Sequence, residues 1–332
     1  MKKQLPIIYQ NILTEITASQ HVMLVTHQNP DGDAVGSTLA MAHFLENMQK
    51  PYTCFCVDAP PKSLAFLPGV LNISNNPDHW LATRAKFDLL IALDAGDLKH
   101  AGITDYLVKL KHKFKIINID HHVTNKNFGH HNLVDPTASS ACEIVHEFLS
   151  AINALNKKIA DCLLTGLITD TGGFTNLATN ASAIGIASKL LLQGANLPKI
   201  TTHTLQNRSV FSLRLWGRAL ERLQTSPSGM VVTVITQKDL TDCHATEEDV
   251  SGVANFLNSL DEQKDARAIL VLTEQNNNKV KGSLRTTHPL MDVAKFATIL
   301  GGGGHKKAAG FTLSAKLFEK NGKYYLQKLT NK

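Results

Sequence analysis

The stretch HVMLVTHQNPDGD, residues 21–33, places a short apolar segment directly before a polar loop that contains glycine. HVMLVTH (21–27) is predicted to be a buried strand, and GSTLAMAHFLENMQ (36–49) is predicted to be a helix. A strand, a loop and a helix in this order form the first half of a βαβ unit. The stretch therefore favours an α/β fold.

The same pattern recurs along the N-terminal part of the chain. Further strands are predicted at YTCFCV (52–57), FDLLIALDAGD (87–97) and FKIINIDHH (114–122). Segments that are apolar on both faces are typical of parallel strands covered by helices. Helices are predicted at 5–18, 138–152, 157–169 and 180–193. We therefore assign residues 1–195 to one α/β domain with a parallel sheet.

The rest of the chain is predicted to contain a connector and a smaller α/β domain. Residues 196–225 have helical character and many long polar side chains, so we expect a helical connector there. Residues 226–332 form the predicted second domain. Its expected elements are a strand at 229–236, a helix at 246–258, two strands within 266–286, a helix at 291–299 and a last strand around 309–314.

Composition narrows the class of protein. The chain has 332 residues, of which 43% are hydrophobic, and this is enough for a sizeable core. A net charge of +6 favours an anionic ligand without indicating a surface that coats nucleic acid. Five cysteines without zinc-site spacing fit a reducing compartment. No apolar run approaches the roughly 18 residues of a transmembrane helix, and the N-terminus lacks a secretory pattern, so we expect a cytoplasmic protein without a membrane partner.

Carboxylates and imidazoles stand where predicted elements end. These candidates are His27, Asp31 and Asp33; Asp94; Asp120, His121 and His122; and Asp170. In an open α/β sheet, ligands bind at the carboxyl ends of the strands, so the groups should converge there. So many acids are unfavourable together unless cations neutralise them. Mixed carboxylate and imidazole ligands favour manganese, iron or cobalt, and two such ions could activate water and stabilise phosphoryl charge.

Each motif also has a plain structural explanation. The Asp31-Gly32-Asp33 segment could be a turn with a helix cap, and His27 could be an ordinary strand-end histidine. Asp94 could be a surface acid, and a His-His pair is often exposed. These explanations weaken when all the groups follow apolar segments. The remaining candidates, which lack that support, are expected at the surface or behind the site; they are Asp97, His100, His112, His130 and His131.

The second domain carries a different signal. Gly301 to Gly304 cannot be the interior of a stable helix, because each glycine costs about 1 kcal/mol there. Glycines allow close backbone approach and can present N–H groups to a phosphate, although a flexible hinge is the alternative. Arg285 could bind a phosphate with two hydrogen bonds. The candidate phosphate-binding features of this domain are therefore Arg285, in GSLR (282–285), and the glycine run, which His305 follows directly.

These motifs resemble those of the DHH phosphoesterases, a family named for the triplet that stands here as Asp120-His121-His122. HQNPDGDAVGS, LDAGD, IDHH and TDTGGF occur in family order in the N-terminal part, and GSLRT and GGGGHKKAAGF resemble the DHH-associated domain. The similarity covers nearly the whole chain. It is strongest to the branch that combines oligoribonuclease (nanoRNase) and 3′-phosphoadenosine-5′-phosphate phosphatase activities. The pair Lys306-Lys307 departs from the family pattern, in which a small or apolar residue is common.

The resemblance implies a site for two Mn²⁺ ions, for which Co²⁺ or Mg²⁺ could substitute, in a cleft between the domains. By analogy, His27 and Asp31 hold one ion, Asp33, His121 and Asp170 hold the other, and Asp94 bridges them. Asp94 and His122 are the implied catalytic residues, with His122 contacting the substrate phosphate or aiding proton transfer. Asp120 supports its neighbours from behind. Ser283, Arg285, Gly303, Gly304 and His305 are implied to hold the other end of the substrate.

The implied activity is hydrolysis of short RNA or DNA oligonucleotides to nucleoside monophosphates, of 3′-phosphoadenosine 5′-phosphate to AMP, or of both. One alternative is an inorganic pyrophosphatase or exopolyphosphatase. Another is a phosphodiesterase for cyclic di-AMP or linear dinucleotides. A nucleotide-binding module without catalysis is disfavoured because the ligand set is complete. Relatives suggest a homodimer.

Overall fold

The computed structural model describes residues 5–81, 87–110, 112–206, 209–258, 267–320 and 323–328. The chain divides into two compact units, Met1–Asn207 and Arg208–Lys332. This division falls inside residues 196–225, the segment expected to be a connector, and the domain boundaries given above stay predictions. No helix in the described ranges is both long and apolar enough to cross a bilayer.

The first unit is a parallel α/β layer structure, as the sequence predicted. Its strands are β1 (Val22–Thr26), β2 (Tyr52–Phe55), β3 (Ile73–Ser74), β4 (Leu89–Leu93), β5 (Lys115–Asp120) and β6 (His131–Val134). They form one sheet in the order β3-β2-β1-β4-β5-β6, and every pairing is parallel. Its helices are α1 (Ile7–Ala18), α2 (Gly32–Asn47), α3 (Thr104–Leu107), α4 (Ala141–Ala151), α5 (Lys157–Asp170), α6 (Ala181–Leu192) and α7 (Leu197–Thr201).

Alternate side chains of β1 enter two different hydrophobic clusters. Leu24 joins a large cluster that contains residues of α1, α2, α4, α5 and α6, whereas Met23 and Val25 join a second cluster that contains Phe55 and Trp80. A period of two places neighbouring residues on opposite faces of the sheet. Burial on both faces explains why these strands are apolar throughout, and it fixes the sheet inside the unit.

Helix α2 begins at Gly32, four residues before its predicted start. The Asp31 side chain accepts hydrogen bonds from the Asp33 and Ala34 backbone N–H groups, which caps the first turn. Two short strands of the first unit, β3 and β6, escaped the sequence analysis. The residues of β6 are polar or only half buried, so they give no apolar run.

The second unit has a mixed sheet. Its strands are β7 (Gln224–Thr225), β8 (Met230–Ile235), β9 (Ala268–Gln275), β10 (Lys279–Arg285), β11 (Gly303–His305), β12 (Ala308–Lys320) and β13 (Lys323–Lys328). The order is β11-β12-β10-β9-β8-β7, with β13 paired to the far part of β12. Only β8 and β9 pair in parallel among the described strands of this unit. Its helices are α8 (Val210–Glu221), α9 (Gln237–Asp242), α10 (Val253–Leu257) and α11 (Val293–Ile299).

Several predicted elements of this part of the chain need correction. Most described residues of 196–225 are helical, in α7, a π-helical turn at Thr202–Gln206 and α8, but the segment ends in the strand β7. The predicted helix at 246–258 is a 3₁₀ turn, Glu247–Val250, followed by α10, because Gly252 has a φ of 90°. The predicted last strand at 309–314 continues to Lys320 and returns as β13. Residue 266, in the predicted strand pair, lies outside the described residues.

Candidate active site

Strand register brings the predicted groups of the first unit to one edge of the sheet. Thr26 of β1 is opposite Leu93 of β4, which is opposite Ile119 of β5. His27, Asp94 and Asp120 are the next residues along these three neighbouring strands. They therefore stand side by side at the carboxyl end, where parallel α/β sheets bind ligands.

Asp94 lies at the centre of this edge. Its Oδ2 atom is 3.5 Å from His27 Nε2, and its Oδ1 atom is 3.5 Å from His121 Nε2 and 3.6 Å from His122 Nδ1. The side chain is buried, and Oδ1 accepts no hydrogen bond from any described residue. The backbone adopts φ 53°, a left-handed conformation that is uncommon for residues other than glycine. Its carboxylate is thus positioned among three imidazole groups, with one oxygen that lacks a hydrogen-bond partner in the described structure.

Two sets of ligand atoms surround Asp94. His27, Asp31 and Asp94 offer one set, and Asp33, His121 and Asp170 offer another. Asp94, His121 and His122 form a third group that links the two, and within each group the atoms lie within 4.8 Å of one another. His121 Nε2 is 3.4 Å from Asp170 Oδ2 and 4.0 Å from Asp33 Oδ2. His27 Nε2 is 3.9 Å from Asp31 Oδ1. The described residues therefore place all six predicted ligands in one cluster.

Helix α4 holds Asp33 from behind. The Ala141 backbone N–H donates to Asp33 Oδ2 at 2.6 Å, and the Cys142 N–H donates to Oδ1 at 2.9 Å. Both donors lie in the first turn of α4, where N–H groups have no intrahelical acceptor and the helix dipole favours negative charge. Asp33 is fully buried, so these bonds fix its orientation. The sequence analysis missed these two residues because they act through backbone atoms.

The imidazoles of the cluster are surrounded by acids. Burial lowers the pKa of His27, but Asp94 and Asp31 outweigh burial and raise it to about 9. Burial is likewise outweighed at His121, where Asp94, Asp33 and Asp170 raise the pKa to about 10. His27 Nδ1 lies 2.8 Å from the Gln28 carbonyl oxygen, which only accepts, so Nδ1 carries a hydrogen. Nε2 is then the nitrogen that faces the acids.

The pKa values of the clustered carboxylates are shifted in opposite directions. Burial, with the nearby Asp94, raises the pKa of Asp33 to about 7, and burial with Asp33 raises the pKa of Asp170 well above its usual range. For Asp94, burial is outweighed by His121 and His27, which hold its pKa well below the usual range. Carboxylates this close together repel one another unless protons or cations neutralise them. Together with the unsatisfied Asp94 Oδ1, this donor set fits divalent cations.

Asp120 supports His122. Asp120 Oδ1 lies 2.7 Å from His122 Nδ1, and Asp120 Oδ2 accepts a hydrogen bond of 2.5 Å from Asn125 Nδ2. Asn125 is held in turn by Asn118, whose Nδ2 donates to Asn125 Oδ1 at 2.9 Å. Burial raises the pKa of Asp120, but the hydrogen bond from His122 outweighs it and the pKa is lowered. An ionised Asp120 therefore fixes the orientation of His122.

The histidines outside the predicted ligand set differ in position. His100 is exposed, yet its ring is parallel to that of His27 with centroids 4.8 Å apart and meets the His122 ring edge-to-face at 5.9 Å. His112 instead bonds to the Phe87 carbonyl oxygen and His130 to the Ile116 N–H. His131 lies 3.3 Å from Glu15. Of this group, only His100 borders the acidic cluster, and no spacing in the sequence indicated it.

The predicted substrate-binding residues of the second unit lie on neighbouring strands of its sheet. Ser283 of β10 and Gly303 of β11 are both opposite Gly310 of β12, while Arg285 and His305 are both opposite Ala308. Residues directly opposite in antiparallel strands lie on the same face, so these candidates share one face of the second sheet. Arg285 Nε donates to Asn255 Oδ1 at 2.7 Å, which orients the guanidinium.

The glycine run is not a hinge within the described structure. Gly303 and Gly304 belong to β11, and Gly304 has φ 137°. A Cβ atom at Gly304 would lie 2.6 Å from the Ala308 carbonyl oxygen, and one at Gly302 would lie 2.0 Å from the Gly310 carbonyl oxygen. Glycine is therefore required for β11 to approach β12.

Both units of the chain match known protein families. Residues 21–167 match the model of the DHH family, N-terminal domain, and residues 229–329 match the DHHA1 domain. The chain is 31% identical to the bifunctional oligoribonuclease and PAP phosphatase NrnA of Thermus thermophilus, over 88% of this chain and 84% of that protein. It is 22% identical to NrnA of Bacillus subtilis, over 91% and 92%. An exopolyphosphatase-related protein from Bacteroides fragilis has a similar structure, with a TM-score of 0.84 and 26% identity over 92% of this chain and 90% of the other.

Proposed function

We propose that this chain, which belongs to the DHH family and is a metal-dependent phosphoesterase, hydrolyses short oligonucleotides to nucleoside monophosphates and 3′-phosphoadenosine 5′-phosphate to AMP. Two sets of candidate metal ligands, linked through the contact of Asp94 with His121, carry this proposal. The names of the similar proteins from Thermus thermophilus and Bacillus subtilis, which give both activities, support the choice of substrates.

The two ligand sets suit two Mn²⁺ ions. We assign His27 and Asp31 to one ion and Asp33, His121 and Asp170 to the other, with Asp94 shared between them. A mixture of imidazole and carboxylate favours manganese or cobalt, whereas Mg²⁺ prefers oxygen ligands. When bound, such ions make water nucleophilic at neutral pH and stabilise the negative charge of the phosphoryl group.

The residues around the ligands position the substrate and its protons. Asp120 fixes His122 through Nδ1, so Nε2 is the nitrogen that we assign to the substrate phosphate. Protonated at Nε2, His122 can donate a proton to the leaving 3′-oxygen. Two hydrogen bonds from backbone N–H groups of α4 hold the Asp33 carboxylate directly, with no side chain in between. These groups therefore enter the reaction already oriented.

The shared face of the second sheet supports recognition of a nucleotide. Arg285, held by Asn255, presents a planar cation suited to phosphate, and Ser283 adds a hydroxyl group beside it. We assign Ser283, Arg285, Gly303, Gly304 and His305 to the part of the substrate that does not react.

The test is a panel of substrates at equal concentration, with Mn²⁺ or with EDTA. We expect Mn²⁺-dependent release of mononucleotide from dinucleotides to pentanucleotides and from 3′-phosphoadenosine 5′-phosphate, with far slower release from a 24-nucleotide RNA. Equal rates on the long and short RNAs would contradict the proposed length preference. Faster turnover of pyrophosphate or of cyclic di-AMP would assign the site to those substrates instead.

A further inference from the structure

One face of the outer strands in the second unit is basic and aromatic. Register places directly opposite residues of β10, β12 and β13 on the same side of the sheet. On one side this rule aligns six side chains, which we call the outer lysine face: Lys279, Lys281, Lys316, Phe318, Lys320 and Tyr325. All six are exposed.

The other side of β10, and of β12 as far as Ala315, faces the hydrophobic core. Val280, Phe311 and Ala315 alternate with the members of the outer lysine face and are buried. Phe311 packs in the cluster that contains Val293 and Ala297 of α11. The core therefore needs only one side of these strands, and folding does not account for lysines and aromatic rings on the other.

Among the described residues, no carboxylate forms an ion pair with a lysine of the outer lysine face. The lysines of the described ranges that do pair with a carboxylate are Lys115 and Lys157. Glu319, the acid nearest in sequence, is opposite Tyr324 and so lies on the other side of the hairpin. Four like charges on one strand pair favour an anionic partner.

Two aromatic rings lie among these lysines. Phe318 and Tyr325 are directly opposite each other, with ring centroids 5.5 Å apart and an interplanar angle of 21°. Each is 45% exposed, so about half of this apolar surface is in contact with water. Exposed aromatic rings beside basic side chains are the elements with which sheets bind single-stranded nucleic acid.

The outer lysine face is continuous with the proposed phosphate-binding residues. Lys279, Lys281, Ser283 and Arg285 alternate along β10 and therefore lie on one side of it. A strand advances about 3.3 Å per residue, so this row is about 20 Å long. Thr312 and Ser314 on the neighbouring β12 lie opposite Lys281 and Lys279 and add hydroxyl groups to the row.

We propose that the outer lysine face binds the part of a single-stranded oligonucleotide that extends beyond the nucleotides held at Ser283 and Arg285. This inference rests on the proposed function, because it assigns the same substrate class a second contact region. Lysines can pair with successive phosphates while Phe318 and Tyr325 stack on a base. An anionic membrane is a poorer match, because two large apolar side chains are a small surface for insertion.

The contribution of stacking is tested by binding without hydrolysis. Fluorescence anisotropy of labelled RNAs of two, five and twelve nucleotides would be measured with the full-length protein in EDTA. We expect Phe318→Ala/Tyr325→Ala to raise the Kd of the twelve-nucleotide RNA about fivefold or more, since stacking on one base is worth about 1–3 kcal/mol. The Kd of the dinucleotide should rise less. An equal effect at all lengths, or none, would overturn the assignment.

The contribution of charge is tested by salt dependence. For single strands, each phosphate contact adds about 0.7 to the slope of log K against log salt. Lys279→Ala/Lys281→Ala should therefore reduce that slope by about 1.4 with the twelve-nucleotide RNA. Lys238→Ala/Lys295→Ala removes two exposed lysines of α9 and α11 and serves as the matched control. Equal slopes in the two double variants would contradict the inference.

The outcome can be separated from that of the proposed function. Hydrolysis of dinucleotides by the unaltered protein with Mn²⁺ tests the function, whereas loss of RNA binding in the variants tests the outer lysine face. Active protein whose double variants bind RNA normally would refute the inference alone. Binding of the unaltered protein to phosphatidylserine vesicles but not to RNA would also refute it. Circular dichroism of each variant checks that the fold is intact.

Discussion

His122 Nδ1 lies 2.7 Å from Asp120 Oδ1, so the orientation of the imidazole depends on a carboxylate that is itself fully buried. Asp120 is restrained by Asn125, and Asn125 by Asn118 of β5. This chain of contacts links the proposed substrate-facing group to the rigid sheet. In the proposed assignment, the triplet that gives the family its name contains one metal ligand, one substrate contact and one supporting residue.

The role of Asp120 as a support can be tested by Asp120→Asn. The amide keeps the size of the side chain but removes the charge that fixes the Nδ1 hydrogen of His122. We expect kcat on a dinucleotide to fall about 10- to 100-fold, as for other residues that orient groups at metal sites. The tautomer of His122, measured by nitrogen-15 NMR, should become mixed. An unchanged kcat would remove this role.

Asp94→Asn tests the shared ligand. The amide lacks the charge needed to join the two ligand sets, so we expect turnover to be abolished and bound manganese to decrease while the fold remains intact. Metal content by mass spectrometry and kcat on a dinucleotide are the measurements. Asp97→Asn is the matched control: Asp97 accepts the His100 N–H at 2.7 Å and is outside both ligand sets. Normal metal content in Asp94→Asn would contradict the assignment.

The metal-free protein should lose stability as pH rises. The pKa of His27 is about 9 and that of His121 about 10, above the usual value of about 6.5. Their favourable contribution is complete below pH 6.5 and is lost as pH rises through 9 and 10. The raised pKa of Asp33, about 7, also lowers the stability of the folded protein as pH rises from about 4 to 7, because the native state holds this proton more tightly than the unfolded state does.

This pH dependence can be measured by thermal unfolding with EDTA or with Mn²⁺ from pH 6.5 to 10. We expect Tm to fall with pH in EDTA and to fall less with Mn²⁺, which binds the deprotonated imidazoles. The decline in EDTA should be smaller in His27→Gln/His121→Gln. Parallel curves in the two conditions would argue against metal binding by these histidines.

The close packing of α2 against α5 allows a prediction about stability at a position outside the proposed ligand set. A Cβ at Gly36 would lie 2.5 Å from the Cys162 carbonyl oxygen, so Gly36→Ala should destabilise the protein by about 1–3 kcal/mol. Gly185 in α6 has no atom within 4 Å of such a Cβ, and Gly185→Ala should stabilise by about 0.5–1 kcal/mol. Urea denaturation distinguishes the two. If both substitutions changed the free energy of unfolding by the same amount, the close contact at Gly36 would not limit the stability of the protein.

Periodicity predicted the parts of the fold that are buried on both faces. The apolar runs before His27, Asp94 and Asp120 are typical of parallel strands. Because the carboxyl ends of parallel strands lie at one edge of the sheet, these runs also predicted where the acidic cluster lies. In contrast, β12 beyond Ala315 and the described side chains of β13 are exposed or half buried, so no apolar run indicated their length. The N–H groups of Ala141 and Cys142 were also hidden, because every residue except proline offers one.

The attachment of Asp33 to α4 has a consequence for how the site tolerates change. Since Asp33 is held by main-chain donors, neither hydrogen bond depends on a functional group of the side chain at position 141 or 142. A displacement of the helix itself, however, would carry both donors away from the carboxylate together. The alignment of this proposed ligand therefore depends on the packing that holds α4, which includes Phe148 and Leu149 about two turns from the donors. Substitutions in that packing would change metal affinity without altering any ligand.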